Sequence, residues 1–147
     1  MRIKDVLAAK GREVATLWSN RSLRDAVRLF DERAIASVVV TDPRGEPMGL
    51  VTDRAALRAL ARRGADALDE PVTKVMAHPF PTCAPDEAVS SALRTMTDDR
   101  VRHLVVMEGE RMVGVVSIGD LVKIRLDDAD LERRVLSERA IGVMAFE

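Results

Sequence analysis

Ser117-Ile118-Gly119-Asp120 sets a hydroxyl and a carboxylate three residues apart, directly before the helical run Leu121-Val122-Lys123. The first turn of a helix offers unpaired N–H groups and the positive end of a dipole, both favourable to phosphate. A serine hydroxyl can bond a phosphate or sugar oxygen, and a carboxylate can accept from two neighbouring hydroxyls of one ligand. Gly114, three residues upstream of Ser117, would let backbone approach that ligand closely. Together these types and spacings describe a pocket for a small phosphorylated molecule. The same pair has a plainer use, because Ser117 with Asp120 is also a variant capping box that starts a helix.

A second group, Arg100, Arg102 and His103, flanks the buried strand Leu104 to Met107. Guanidinium forks match phosphate oxygens and a protonated imidazole can donate, so the three suit a polyphosphate. The alternative is a set of surface charges paired with Asp98 and Asp99. Arg54 lies in the first turn of a helix, where a cation opposes the dipole unless an anion is near. It is therefore a candidate phosphate contact, although Arg54, Arg58 and Arg62 also recur every fourth residue, as on a solvated face. Thr16 and Thr82 open two extended segments and could equally be β-branched strand residues.

Little else in the chain could do chemistry. There are two histidines, no paired-carboxylate motif and no Walker-type glycine loop, so no enzymatic constellation is expected. His78 sits beside Pro79 with no evident partner. The single Cys83 excludes an intramolecular disulfide, has no metal-ligand companions and is assigned no role. Met48, Met76, Met96, Met107 and Met112 read as core filling. Trp18 either covers the mouth of a site or packs.

The elements that must position these groups are visible because the sequence repeats. Gly49-Leu50-Val51-Thr52 lies over Gly114-Val115-Val116-Ser117, and Ile35-Ala36-Ser37-Val38-Val39-Val40 over Val101-Arg102-His103-Leu104-Val105-Val106. Upstream, Leu23, Ala26, Val27 and Phe30 lie over Val89, Ala92, Leu93 and Met96, both with the spacing of a helix face. Thr16 corresponds to Thr82, and Lys4-Asp5-Val6-Leu7 to Thr73-Lys74-Val75-Met76. Each repeat reads as an extended segment (about 14–18; about 80–83), a helix, a strand, a turn, a strand and a second helix. The turns are Asp42-Pro43-Arg44-Gly45 and Glu108-Gly109-Glu110. A unit this small leaves apolar strand surface uncovered, so two units should pack face to face. The expected fold is α+β: two pseudo-symmetric β-α-β-β-α repeats in residues 1–64 and 65–126, packed as one module, then a charged helix over 127–147.

At this point the residues resemble the CBS (cystathionine β-synthase) domain family, whose members occur as tandem pairs called Bateman modules. Arg100-Val101-Arg102-His103-Leu104-Val105-Val106 and Gly114-Val115-Val116-Ser117-Ile118-Gly119-Asp120 carry its motif, and the likeness extends over residues 1 to about 126. The start, Ile3 to Lys10 and then Gly11-Arg12-Glu13-Val14, is similar to small single-module bacterial and organellar members with no attached enzyme. The resemblance implies a regulatory sensor of AMP, ADP or ATP, less often NADH or S-adenosylmethionine, that forms a flat dimer. It implies that Asp120 holds the ribose hydroxyls and that backbone beside Thr16 and Thr82 pairs with adenine edges, with Thr82 favoured because the complete motif lies in its repeat. In the first repeat Thr52 is followed three residues later by Ala55, so that potential site lacks its carboxylate.

Composition narrows the partners. Twenty-three basic residues balance 24 acidic ones, so no charge excess favours nucleic acid or an anionic membrane, and Arg133 and Arg134 are offset by nearby acids. No apolar run suggests a membrane span or signal peptide, and a cytoplasmic protein is expected. The apolar helix positions Leu23, Val27, Leu57, Leu60, Val89, Leu93 and Val122 predict a homodimer, with an unidentified target protein as a further partner. Leu131, Val135 and Leu136 could dock the last helix on the module or on a second subunit. A ligand-free adaptor that only dimerises is the competing reading.

Overall fold

A computed structural model describes the backbone of residues 1–145 and the side chains of residues 1–140. The elements run α1 (Ile3–Lys10), β1 (Thr16–Trp18), α2 (Leu23–Arg33), β2 (Ser37–Thr41), β3 (Pro47–Thr52), α3 (Asp53–Arg63), two 3-10 turns (Gly64–Asp69, Val72–Lys74), β4 (Thr82–Cys83), α4 (Val89–Asp99), β5 (His103–Glu108), β6 (Arg111–Ser117) and α5 (Ile118–Ala145). The expected pair of β-α-β-β-α repeats is therefore present. Each half holds a three-stranded sheet, ordered β1-β2-β3 and β4-β5-β6, with the first pair parallel and the second antiparallel.

The internal symmetry reaches single residues. Thr16 pairs with Val39 as Thr82 pairs with Val105, and Ser37 pairs with Thr52 as His103 pairs with Ser117. α2 ends at Ala34 and α4 at Arg100, both in the left-handed conformation at φ 52 and 55°. α2 starts on a reciprocal box in which Ser22 accepts from the Asp25 amide and Asp25 accepts from the Ser22 amide.

Side-chain alternation along the strands divides the interior in three. Val38, Val40 and Val51 face the helices of the first half, and Leu104, Val106 and Val116 those of the second. Between the two sheets, Val39, Leu50 and Val105 form a third cluster with Val14, Phe80, Met107, Met112 and Val115 packed against it. The halves thus meet face to face through a thin layer, and each keeps its own larger core.

Each half also completes the other. α1, which opens the chain, inserts Ile3, Val6 and Leu7 into the second half's core beside Leu104, Val116 and Leu121. The turn that opens the second repeat inserts Val72, with Val75 and Met76, into the first half's core. Two glycines make room for this exchange. A Cβ on Gly114 would lie 2.6 Å from Leu7 Cδ2, and one on Gly49 would lie 2.6 Å from Met76 Cγ.

Two expectations change here. The helix expected from about Asp127 is the outer part of α5, which runs unbroken from Ile118, and Leu131, Val135 and Leu136 are exposed rather than docked on their own module. Among the apolar helix positions expected at a dimer face, Leu23 and Val89 are fully buried in the core, while Leu57 and Val122 are exposed. The reason is register: one face of each helix meets its own sheet, and only the opposite face is left outside. No helix among the described residues is long and apolar enough to cross a membrane.

Candidate functional site

Two of the clefts between the halves lie at equivalent junctions, and the pseudo-symmetry relates one to the other. The first, of about 360 Å³, is bounded by Ser117 and Asp120 from the β6–α5 junction, by Lys10, Glu13, Val14 and Ala15 after α1, and by Ala34 to Ser37 leading into β2. The second, of about 310 Å³, is bounded by Thr52 to Ala55 and Arg58 at the β3–α3 junction, by Pro81, and by Arg100 to His103 leading into β5. Each cleft takes its helix start from one repeat and its strand entrance from the other.

This geometry corrects the grouping expected from the sequence. Asp120 and Ser117 do not share a cleft with Arg100 and Arg102, although all four belong to one repeat. The arginines face the first repeat's Thr52 and Arg54, and Asp120 faces the first repeat's neutral segment Ala34-Ile35-Ala36-Ser37. His103 alone borders both. Thr16 and Thr82 line neither cleft. The backbone just before them does, with Val14 and Ala15 beside Asp120, so the segment near the intact motif is the one preceding Thr16 and not Thr82. Gly114 is buried under Leu7 and gives no ligand access; its missing side chain serves the exchange of opening segments.

In the carboxylate cleft the Ser117–Asp120 pair acts as the capping box of α5. Asp120 Oδ2 accepts from the Ser117 amide at 2.8 Å and Ser117 Oγ accepts from the Asp120 amide at 3.1 Å, so the pair caps α5. The same Oδ2 accepts from Lys10 Nζ at 2.6 Å, and Lys10 donates again to the Val115 carbonyl at 2.9 Å. Burial alone would push the Asp120 carboxyl up. The hydrogen bonds from Lys10 and from the Ser117 amide outweigh it and hold the group below its ordinary value. Asp120 is therefore a firm anion with a cation seated on it, partly open to the cleft.

In the arginine cleft, Thr52 caps α3 by accepting from the Ala55 amide at 3.2 Å. The position equivalent to Asp120 is the methyl group of Ala55. Asp53 supplies a carboxylate one residue after Thr52, and its Oδ1 accepts from the Arg54 amide at 2.8 Å. None of Arg54, Arg58, Arg100 and Arg102 has an ion-pair partner among the described residues, and Asp98 and Asp99 do not pair with them. His103 departs from the role of protonated donor. Burial lowers its pKa from 6.5 against the pull of Asp53 and Asp120, so the ring is neutral at pH 7, and its Nδ1 is buried with no partner among the described residues.

Lys10 and Ser37 were not singled out by sequence, and Arg58, read there as part of a solvated stripe, borders the second cleft. The signal for Ser37 lies in the repeat itself: once a cleft is known to be shared, the segment lying over Arg100-Val101-Arg102-His103, namely Ala34-Ile35-Ala36-Ser37, belongs opposite Asp120. Trp18 is exposed and borders neither cleft. Cys83 is buried, and burial pushes its thiol up to about 12, which leaves it unreactive.

Two pseudo-symmetric repeats with a cleft shared at each junction define a class of paired-repeat ligand-binding regulatory modules. The chain belongs to the CBS domain family, which matches residues 3–62 and again 72–127. It is 32% identical over 130 residues to the mitochondrial CBS domain-containing protein CBSX3 of Arabidopsis thaliana, covering 82% of this chain and 63% of that protein's length. A CBS-domain-containing protein of Agrobacterium tumefaciens has the same fold at TM-score 0.82 and 35% identity, over 84% of this chain and 92% of the other. A CBS domain protein of Pyrobaculum aerophilum, solved as a complex with AMP, superposes at TM-score 0.72 and 27% identity, over 82% and 89% of the two chains.

Proposed function

We propose that the protein is a regulatory module that binds an adenine nucleotide (AMP, ADP or ATP) in the carboxylate cleft and passes occupancy on through a homodimer to an unidentified target protein. NADH and S-adenosylmethionine are weaker candidates. The observation that carries this reading is Asp120, a firmly ionised carboxylate at the edge of a cleft of about 360 Å³, a size within the roughly 300–1,000 Å³ range of small-molecule sites. Backbone of Val14 and Ala15 offers hydrogen-bonding edges opposite it for a base, and Ser117 and Lys10 offer donors for ribose or phosphate. The AMP complex of the Pyrobaculum relative supports the ligand class.

Calorimetry with AMP, ADP and ATP, backed by thermal shift with NADH and S-adenosylmethionine, tests the reading. At one hundred times its dissociation constant a bound nucleotide adds about 2.7 kcal/mol of stability. Asp120→Ala should remove measurable binding, and circular dichroism should show the fold retained, with about 1 kcal/mol lost from the α5 cap. Asp120→Asn keeps an acceptor for the cap and separates the two effects. Unchanged affinity in Asp120→Ala would place the nucleotide elsewhere.

One observation favours the second reading, a ligand-free adaptor: Lys10 already occupies Oδ2 of Asp120. If no adenine compound shifts the melting temperature at millimolar concentration, the Lys10–Asp120 pair is a strut that ties α1 to α5, and the module works by dimerisation alone.

A further inference from the structure

We infer that Lys10 is a built-in occupant of the carboxylate cleft, seated where a ribose hydroxyl would bond, and that it makes the cleft select nucleotides over nucleosides. A ligand takes the Asp120 carboxylate only if it brings its own anion for the displaced ammonium. This rests on the adenine-nucleotide reading of that cleft and adds what sets its specificity. An ionised carboxylate has about two acceptor sites on each oxygen. Both sites of Asp120 Oδ2 are taken, by the Ser117 amide at 2.8 Å and by Lys10 Nζ at 2.6 Å. No hydrogen bond reaches Oδ1 among the described residues. A 2′,3′-diol that grips both oxygens therefore finds one place open and one filled.

The Ser117 amide is fixed at the end of β6, so Lys10 is the partner that yields. Its flexible four-carbon stem lets the ammonium swing away without moving α1, but it leaves with only the Val115 carbonyl, at 2.9 Å. The side chains of Lys10 and Asp120 are 34 and 26% exposed, so parting them strands a charge that water only partly reaches. Glu13, the other carboxylate of the cleft, is exposed and screened by solvent, a poorer partner. A phosphate on the ligand is the better replacement. Lys10 is the one lasting cation among the described residues that border this cleft, since His103 is neutral at pH 7 and Glu13 and Asp120 are acidic. An entering phosphate meets two carboxylates and one ammonium. The ammonium must therefore turn to it, and the same movement frees Oδ2 for the diol. A nucleotide completes this exchange where a nucleoside cannot.

Calorimetry of AMP and adenosine on the full chain is the direct test. In Lys10→Met, Oδ2 is free and the phosphate has lost its cation. Adenosine should then bind more tightly than to the unmutated protein, and AMP at least roughly tenfold more weakly, the effect of losing a charge-assisted hydrogen bond. A lysine that only ties α1 to α5 would shift both affinities together. Lys10→Gln, which keeps a donor for the Val115 carbonyl, should show the same reversal if Lys10→Met fails to fold. A further comparison needs the unmutated protein alone. With Lys10 in place, a nucleoside loses nothing with one hydroxyl, because the other takes Oδ1. AMP should therefore bind at least roughly tenfold more tightly than 2′-deoxy-AMP, and adenosine no more tightly than 2′-deoxyadenosine. A folded Lys10 variant that keeps the preference for AMP, or an equal effect of the 2′-hydroxyl in nucleotide and nucleoside, would overturn the role given to Lys10 and leave the adenine reading standing. No binding of AMP or adenosine to the unmutated protein or to either variant would overturn both.

Discussion

At the scale of single residues, the contact that joins the halves is made twice, by Leu7 over Gly114 and by Met76 over Gly49. Gly114→Ala should cost about 1–3 kcal/mol, because the added methyl group must displace a buried leucine in a filled core. Gly49→Ala should cost at least as much, since its methyl would lie 2.9 Å from Met76 Cβ, which the backbone fixes, so that moving the thioether aside does not relieve the contact. Leu7→Ala alone opens a cavity at about 2–5 kcal/mol. In the double variant Gly114→Ala/Leu7→Ala the new methyl fills part of that space, so chemical denaturation should give a sum well short of additive; strict additivity would mean the two residues do not touch. Titration belongs at this scale too. The folded chain holds His103 below its ordinary pKa, so the unfolded chain binds more protons in the window below 6.5, and stability falls as pH drops through it. Asp120 is held below the ordinary carboxylate value, so its contribution is present above that value and disappears as pH falls further. Melting temperatures measured from pH 8 to pH 3 should decline in two stages, and His103→Gln should flatten only the first.

At the scale of elements, most of the architecture was legible because short apolar periods were repeated in order. The 3,4,7 spacing of Leu23, Ala26, Val27 and Phe30 and its copy from Val89 located α2 and α4, and the matched β-rich runs, residues 35–40 over 101–106 and 49–52 over 114–117, located β2, β3, β5 and β6. The sequence did not reveal which half each opening segment belongs to. Nothing local in Ile3-Lys4-Asp5-Val6-Leu7 says that its partners are Val116 and Leu121; chain connectivity suggests the first half, and tertiary packing decides for the second. The same crossing hid the composition of the clefts. Spacing could mark Ser117 with Asp120 and Arg100 with Arg102, but only the face-to-face docking of the sheets sets each pair against the other repeat. The continuity of α5 was missed because the acidic run Asp127-Asp128-Ala129-Asp130 looks like a helix start when its upstream turns are assigned to a separate unit. Removing residues 1–10 tests the crossing directly. The second half should lose its core and the whole chain its cooperative melt, because the deleted helix supplies three fully buried side chains to that half. Retention of a sharp transition near the full-length midpoint would contradict the exchange.

At the scale of the whole molecule, the exposed apolar surface lies at equivalent positions of the two halves. Leu57 stands five residues after Thr52 on α3 and Val122 five after Ser117 on α5, exposed by 64 and 42%. A two-fold axis can cover both at once with a second copy, since one self-complementary patch closes the assembly. Sedimentation should therefore give a mass near twice 16.2 kDa, and Leu57→Glu/Val122→Glu should return the monomer by forcing charges into the contact. A wild-type chain that sediments as a monomer at micromolar concentration, with and without AMP, would leave that face to a partner of different sequence. The exchange of opening segments, finally, bears on how the chain is made. Synthesis proceeds from the N-terminus at about 5–20 residues per second, and Gly114 follows Leu7 by 107 residues, the difference of their positions. The first helix therefore spends roughly 5–20 seconds outside the ribosome before its partners exist. The first half can close once Met76 has emerged, but Ile3, Val6 and Leu7 stay uncovered until β6 and the start of α5 follow, and a nascent chain truncated before β6 carries an uncovered apolar helix.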